Sequence, residues 1–354
     1  MGFGAVLACL PAAWVWLRQR GASAQRRQTA LTVLILFLTL DLILVGAFTR
    51  LTDSGLGCPD WPGCYGQSNP LAAHADISAA QEALPTGPVT HQKAWIEMVH
   101  RYLATAVGAL IVLLTLLAWF GARSVISPWW PTATLVWVCV QGAFGALTVT
   151  MKLFPAIVSL HLLGAYALLA LLVVQAVKLG AFRVEGDLAT SAGLQSAITV
   201  ALGLLLLQAT SGAWVSTNYA VLVCGDFPTC QGSWWPDMNF AGALEIWRPL
   251  GEHGDGSIVT LQTLTAIHMA HRMLALVTAL VLAGLAWRLM RQRALQKPAR
   301  ILVGLLVLQV LTGLSNVVLD WPIAAAMLHS GGAGAMVAVL VWMGTAIRLK
   351  DQTA

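Results

Sequence analysis

Apolar residues in this chain come in long unbroken runs, not in the alternating or three-four spacing of a half-buried element. Eight runs, at about 29–50, 98–120, 129–150, 155–180, 194–215, 265–288, 300–319 and 323–347, are separated by polar clusters. About 20 apolar residues in a helix rise roughly 30 Å, the thickness of bilayer hydrocarbon, so each run predicts a membrane-spanning helix. A shorter apolar stretch over residues 1–17 ends in Trp14, Val15, Trp16 and Leu17 and is followed by Arg18, Arg20, Arg26 and Arg27. Its charge follows the apolar run and no small-residue cleavage site stands out. That order favours a ninth, short or partly inserted helix over a cleaved signal peptide.

Composition agrees with the pattern. Hydrophobic residues make up 58% of the 354 and charged residues 10%, with a mean hydropathy of +0.76, whereas a soluble domain carries about 25% charge. Most of the 20 Lys and Arg fall on one side of the spans, among them Arg123, Lys178, Arg183, Arg288, Arg291, Arg293, Lys297, Arg300, Arg348 and Lys350. The positive-inside rule makes that side cytoplasmic. The net charge of +5 is thereby a matter of topology and points to no nucleic-acid partner.

The chain repeats itself. When residues 41–178 are laid over 204–346, Cys58 and Cys64 meet Cys224 and Cys230, each pair six apart in long loops on the outer side. Glu97-Met98-Val99-His100-Arg101 meets His268-Met269-Ala270-His271-Arg272, and Gln141 with His161 meets Gln309 with His329, 20 positions apart in both halves. Each half reads as span, long outer loop, span, short inner loop, span, very short outer turn, span. An even number of spans makes the halves parallel repeats, each expected to be a four-helix bundle. The predicted fold is therefore an all-α integral membrane protein of eight transmembrane helices in two repeated bundles, with a possible extra N-terminal helix. Its expected domains are residues 1–28 as an apolar segment and basic linker, 29–183 as the N-terminal half and 184–354 as the C-terminal half.

Outside the membrane, each cysteine pair has the spacing to close a small loop as a disulfide, with free thiol pairs or a zinc site as the alternatives. Cys9 and Cys139 read as packing residues in apolar helices. His74, His91 and His253 fall in polar loops. His100, His161, His271 and His329 lie within the first two turns of their spans at the outer end, where an ionisable group is costly and marks function. Interhelical hydrogen bonds would explain any one of them. Four at matched places instead suggest two pairs of axial haem ligands, His100 with His161 and His271 with His329. Arg50, Arg101 and Arg272 could meet haem propionates at the outer surface, with simple interfacial snorkelling as the alternative. Glu97, replaced by His268 in the second half, shares a helix face with His100 and could handle protons or be a plain hydrogen-bond acceptor for a ligand or a neighbouring helix. His268 reads as a supporting residue, and Asp41 as the donor or acceptor of an interhelical hydrogen bond.

Taken together, Gly46 to Gly57 (GAFTRLTDSGLG) leading into the Cys58/Cys64 loop, Glu97 to Arg101 (EMVHR), the His161 and His329 helices and the His271-Arg272 pair resemble the heme A synthase family. The resemblance covers about residues 29–347 and implies oxidation of the C8 methyl group of haem O to the formyl group of haem A for terminal oxidase biogenesis. It implies that His100 and His161 flank the substrate haem, that Glu97 is the catalytic carboxylate, and that His271 and His329 hold a haem b cofactor. It matches Cys58-Cys64 to an outer-loop disulfide found in some members and Cys224-Cys230 to a less constant one. Haem O as substrate, membrane lipid, haem O synthase and an electron donor are the implied partners, and a homo-oligomer is compatible with it. The implied place is a bacterial-type inner membrane, with the Cys loops periplasmic. A non-catalytic dihaem b cytochrome is the competing reading. A repeat-built transporter is disfavoured because no matched Gly or Pro breaks interrupt the spans.

Overall fold

The computed structural model describes residues 2–121, 125–184 and 192–351; Arg123 lies outside them. Among the described residues, eight helices are long and apolar enough to cross a membrane. They are α2 (Ala24–Leu51), α4 (His91–Phe120), α5 (Trp129–Thr150), α6 (Pro155–Lys178), α7 (Ala192–Thr217), α9 (Leu261–Met290), α10 (Gln296–Val318) and α11 (Ile323–Asp351). α1 (Gly2–Arg18), α3 (His74–Ala83) and the single turn α8 (Phe240–Ala243) are shorter.

Several helices begin before their apolar runs because polar residues cap them in the interfacial region. Ser23, Thr90 and Thr260 accept from the backbone N–H three residues on, at Arg26, Lys93 and Thr263, supplying partners that the first helical turn lacks. Inside the spans, hydroxyls have no water to meet. Thr39, Thr115, Thr312 and Ser315 each donate to the carbonyl four residues back, which satisfies them within their own helix.

Packing groups Met1–Leu153 with Ala167–Phe182 as one compact unit, and Phe154–Tyr166 with Arg183–Ala354 as another. In the first, α4 packs on α1, α2 and α5. α1 starts beside the outer end of α4, where Phe3 stacks edge-on with Tyr102 at 5.2 Å. It ends at the basic linker, where Arg27 covers the Trp16 ring at 5.0 Å. The 17-residue segment is therefore a helix running alongside the spans, with Phe3, Leu10, Trp14 and Trp16 exposed as lipid-facing residues would be. Cys9 and Cys139, expected to pack, are both exposed. Asp41, expected to bond between helices, is exposed and forms no hydrogen bond among the described residues.

In the second unit α7 packs on α9, α9 on α10, α10 on α11 and α11 on α7. That closed ring is a four-helix bundle in which α9 and α11 stand diagonally across the core. The first turns of α6 belong to this unit: Ser159 and Thr217 hydroxyls lie 3.2 Å apart, and the Tyr166 hydroxyl donates to the Ser330 carbonyl at 2.8 Å.

The repeat is also written in the backbone. Left-handed residues pair up at Asp53 and Tyr219, at Lys152-Leu153 and Asp320-Trp321, and at Tyr65-Gly66 and Gln231-Gly232. The first two sets end helices in the left-handed conformation that turns a chain sharply out of its last turn.

Candidate functional site

Two small loops cover the outer ends of the histidine helices, and both follow one plan. Cys58 is bonded to Cys64 and Cys224 to Cys230. After each second cysteine, two positive-φ residues reverse the chain, so that Cys64 pairs with Gln67 and Cys230 with Ser233. Two such residues in a row are the signature of a tight two-residue hairpin turn. An aspartate two residues after each first cysteine clamps this turn. Asp60 accepts from Tyr65 and Gly66 N–H at 2.6 and 2.7 Å. Asp226 accepts from Gln231 and Gly232 N–H at 2.8 and 3.0 Å, and from the Thr229 hydroxyl at 2.5 Å.

The Thr229 hydroxyl and the Gly232 amide hold the Asp226 carboxyl at about 2, below its ordinary 3.8. A depressed folded-state value contributes stability above the ordinary one and loses it as pH falls through the lowered one. The Gln231 and Gly232 amides should therefore lose their hydrogen-exchange protection between pH 4 and pH 2, and Asp226→Asn should lose it at neutral pH. Unchanged protection at pH 2 would show that the clamp does not matter.

Each loop is latched from below by the arginine that follows a histidine. Arg101 donates to the Asp60 and Gly63 carbonyls at 3.0 and 2.6 Å, and Arg272 donates to Asp226, Thr229 and Cys224 carbonyls at 2.9–3.0 Å. Asp60 and Gly63 match Asp226 and Thr229 in the repeat, so the same bonds recur. Of these two arginines, both expected to face propionates, Arg101 instead commits one terminal nitrogen to the loop and the other to Glu97, and Arg272 commits both to its loop, leaving its Nε buried without a partner among the described residues. Arg50 pairs with Asp53 at 3.2 Å.

Glu97 and His268 occupy matched places and both anchor the segment that enters the loop. Glu97, 3% exposed, accepts from Cys58 N–H at 2.8 Å and from Arg101. His268, 4% exposed, reaches the Ala220 carbonyl through Nδ1 at 2.7 Å. The carboxylate occurs only in the first half.

The four histidines are not equally deep. His161 and His329 lie six residues into α6 and α11, within two turns, but His100 is nine residues into α4 and His271 ten into α9. The first-two-turns expectation therefore fails for His100 and His271, because the Thr90 and Thr260 caps start those helices before the apolar residues begin. His271 and His329, on the diagonal helices of one bundle, are close enough to interact electrostatically.

Neighbouring glycines leave room for the rings. A Cβ on Gly46 would come 3.1 Å from His100 Nε2, one on Gly212 2.9 Å from His271 Cε1, and one on Gly313 3.1 Å from His329 Cε1. Nδ1 of His161 is buried with no partner among the described residues. Four half-buried imidazoles, three of them seated on glycines and the fourth, His161, with an unpartnered ring nitrogen, form a donor set that suits haem iron and would otherwise be costly in hydrocarbon. The other histidines have local partners: the His74 and His91 rings stack at 4.5 Å, and His253 bonds Glu245.

The residues that sequence reasoning passed over are those gripping the histidines from the next helix. Ser211 and Thr312 meet Nδ1 of His271 and His329 at 2.9 and 3.0 Å. Gln208 and Gln309 donate to the carbonyls of the same two histidines, at 3.4 and 2.8 Å. The signal lay in a repeated string, Gln208-Ala209-Thr210-Ser211-Gly212 and Gln309-Val310-Leu311-Thr312-Gly313, which becomes meaningful only once the facing residue is known.

Fold and site together define a class: a multi-pass all-α membrane protein built from a duplicated four-span plan, with histidines that suit haem. Residues 29–341 match the family model COX15-CtaA, described as cytochrome oxidase assembly protein. The chain is 38% identical to heme A synthase of Shewanella oneidensis over 315 residues, covering 88% of this chain and 94% of that protein. It is 30% identical to heme A synthase of Cereibacter sphaeroides, covering 92% and 88%, and 25% identical to that of Halalkalibacterium halodurans, covering 81% and 86%. The chain belongs to the heme A synthase family.

Proposed function

We propose that this enzyme oxidises the C8 methyl group of haem O to the formyl group of haem A, the haem of terminal oxidases. The observation that carries this reading is the difference at one matched position, Glu97 in the first half and His268 in the second. Converting a methyl to a formyl group adds one oxygen, at the level of water, and releases four protons and four electrons to an acceptor; a carboxylate on the helix face of one histidine can take up the protons. A second bundle with its histidine pair but no carboxylate suits a permanent haem.

In this reading His100 and His161, paired by the repeat, flank the substrate in the half from 29 to 183. His271 and His329 hold a haem b in the half from 184 to 354, where it would supply an electron relay. Glu97 handles protons. Arg50, and Arg272 through its unpartnered Nε, are the proposed propionate partners, whereas the terminal nitrogens of both Arg101 and Arg272 are already taken. The clustering of Lys and Arg on the opposite side supports placing the Cys loops on the periplasmic face of a bacterial-type inner membrane. Haem O synthase and an electron donor are the proposed partners there.

The test is pigment chemistry. Expressed in a host that makes haem O but no haem A, the chain should cause haem A to appear in extracted membranes separated by chromatography. Purified protein carrying two tightly held haems B, in cells with no new porphyrin, would instead identify a dihaem cytochrome and overturn the reading.

A further inference from the structure

The grip on His271 and His329 carries more than support for the fold. In each case one residue string on the neighbouring helix provides three things. Its Gln donates to the histidine's own carbonyl, its hydroxyl meets Nδ1, and its Gly opens space beside the ring, with Cε1 2.9 or 3.1 Å from where a Cβ would be. α7 does this for His271 on α9, and α10 does it for His329 on α11.

A hydroxyl has one hydrogen. Thr312 donates its hydrogen to the Leu308 carbonyl at 2.7 Å, so toward Nδ1 of His329, 3.0 Å away, its oxygen can only accept. The proton must then sit on Nδ1, and Nε2 is left with a bare lone pair, the form that binds iron. Ser211 likewise spends its hydrogen on the Gln208 carbonyl at 2.8 Å while standing 2.9 Å from Nδ1 of His271. There the amide nitrogen of Gln208 also lies 3.0 Å from Nδ1 and 3.3 Å from Nε2, so two polar groups hem the ring and the tautomer argument rests on His329.

His161, in the same packed unit, is the contrast. It matches His329, but the residue matching Thr312 is Phe144, in Gln141-Gly142-Ala143-Phe144-Gly145. The Gln and Gly persist and the hydroxyl is gone. Nδ1 of His161 is buried without a partner among the described residues.

We propose that Thr312 and Ser211 are positioning residues that preset His329 and His271 as permanent haem ligands. The proposal rests on the reading that these histidines ligate haem. A hydrogen bond from the distal nitrogen of a ligating imidazole fixes its plane and raises its basicity, and losing such a partner weakens metal binding roughly 10- to 100-fold.

The experiment uses the purified holoprotein and follows transfer of haem to excess apomyoglobin, together with the electron paramagnetic resonance of the low-spin ferric haem and its midpoint potential. Thr312→Val keeps the shape and removes the hydroxyl. It should release the resident haem about 10- to 100-fold faster, shift the low-spin signal and raise the midpoint potential, because a less basic imidazole stabilises ferric iron less. Ser211→Ala should act in the same direction. Thr312→Ser should restore wild-type behaviour. Ser315→Ala, whose hydroxyl bonds only the Leu311 carbonyl of its own helix, should change nothing. Wild-type transfer rates and spectra in Thr312→Val would overturn the proposal. Failure of the underlying reading would look different: His329→Ala would then keep its full haem content.

Discussion

Glu97→Gln should cut haem A formation at least about 100-fold, the lower end of what a positioned proton-transfer group contributes, while the protein folds and keeps its resident haem. Glutamine keeps one acceptor oxygen, enough for the Cys58 N–H now met at 2.8 Å, while its NH2 replaces the oxygen that meets Arg101. The Cys58 anchor therefore survives, and the loss is of the charge, the basicity and the ion pair with Arg101, whose other nitrogen still holds the loop carbonyls. Membranes of cells carrying the variant should hold haem O in place of haem A, and the purified variant should show an unaltered low-spin haem spectrum. Normal haem A in Glu97→Gln would reduce this carboxylate to a loop brace, the role its counterpart His268 already has.

Arg101→Leu should be the most destabilising single change in the first half. It strands a carboxylate that is 3% exposed and removes the donor from the Asp60 and Gly63 carbonyls. Breaking a buried ion pair from one side costs about 3–5 kcal/mol, because the remaining charge is neither solvated nor paired. The double variant Glu97→Leu/Arg101→Leu removes both charges and should recover part of that loss, a coupling that a double-mutant cycle reads directly. Thermal unfolding in detergent measures it, and limited proteolysis within residues 58–67 reports the loop. A single variant as stable as the double would mean that Glu97 and Arg101 are not coupled, and wild-type proteolysis of the loop in Arg101→Leu would mean that Arg101 does not latch it.

Much of this architecture was legible in the residues because hydrocarbon imposes a local rule. A span must satisfy its backbone within its own helix, so an apolar run of sufficient length identifies a helix without reference to its neighbours. The runs starting at 129 and 155 began at the first residues of α5 and α6, while those starting at 98 and 265 missed the capped first turns of α4 and α9. Polar residues such as Gln92, Lys93 and Gln262 do not look like a span, yet a helix continues through them in the interface. The same error placed His100 and His271 too near the helix ends. Cys9 and Cys139 were misread for a related reason: in a bilayer an apolar helix is apolar on all sides, so hydrophobicity does not say which face is inside.

The sequence alone determined the number of spans, the duplication, the cysteine pairs and the four membrane-depth histidines, since all of these are properties of one segment or of spacing along the chain. Only the tertiary structure decided what each polar group is bonded to. Arg101 reaches a carbonyl 38 residues away, and His271 meets a serine 60 residues away. Hydrogen bonds demand a partner at about 3 Å and correct angles, and no periodicity along the chain encodes which distant residue supplies it. Folding therefore made Arg101 and Arg272 loop latches, gave His329 a hydroxyl and left His161 without one.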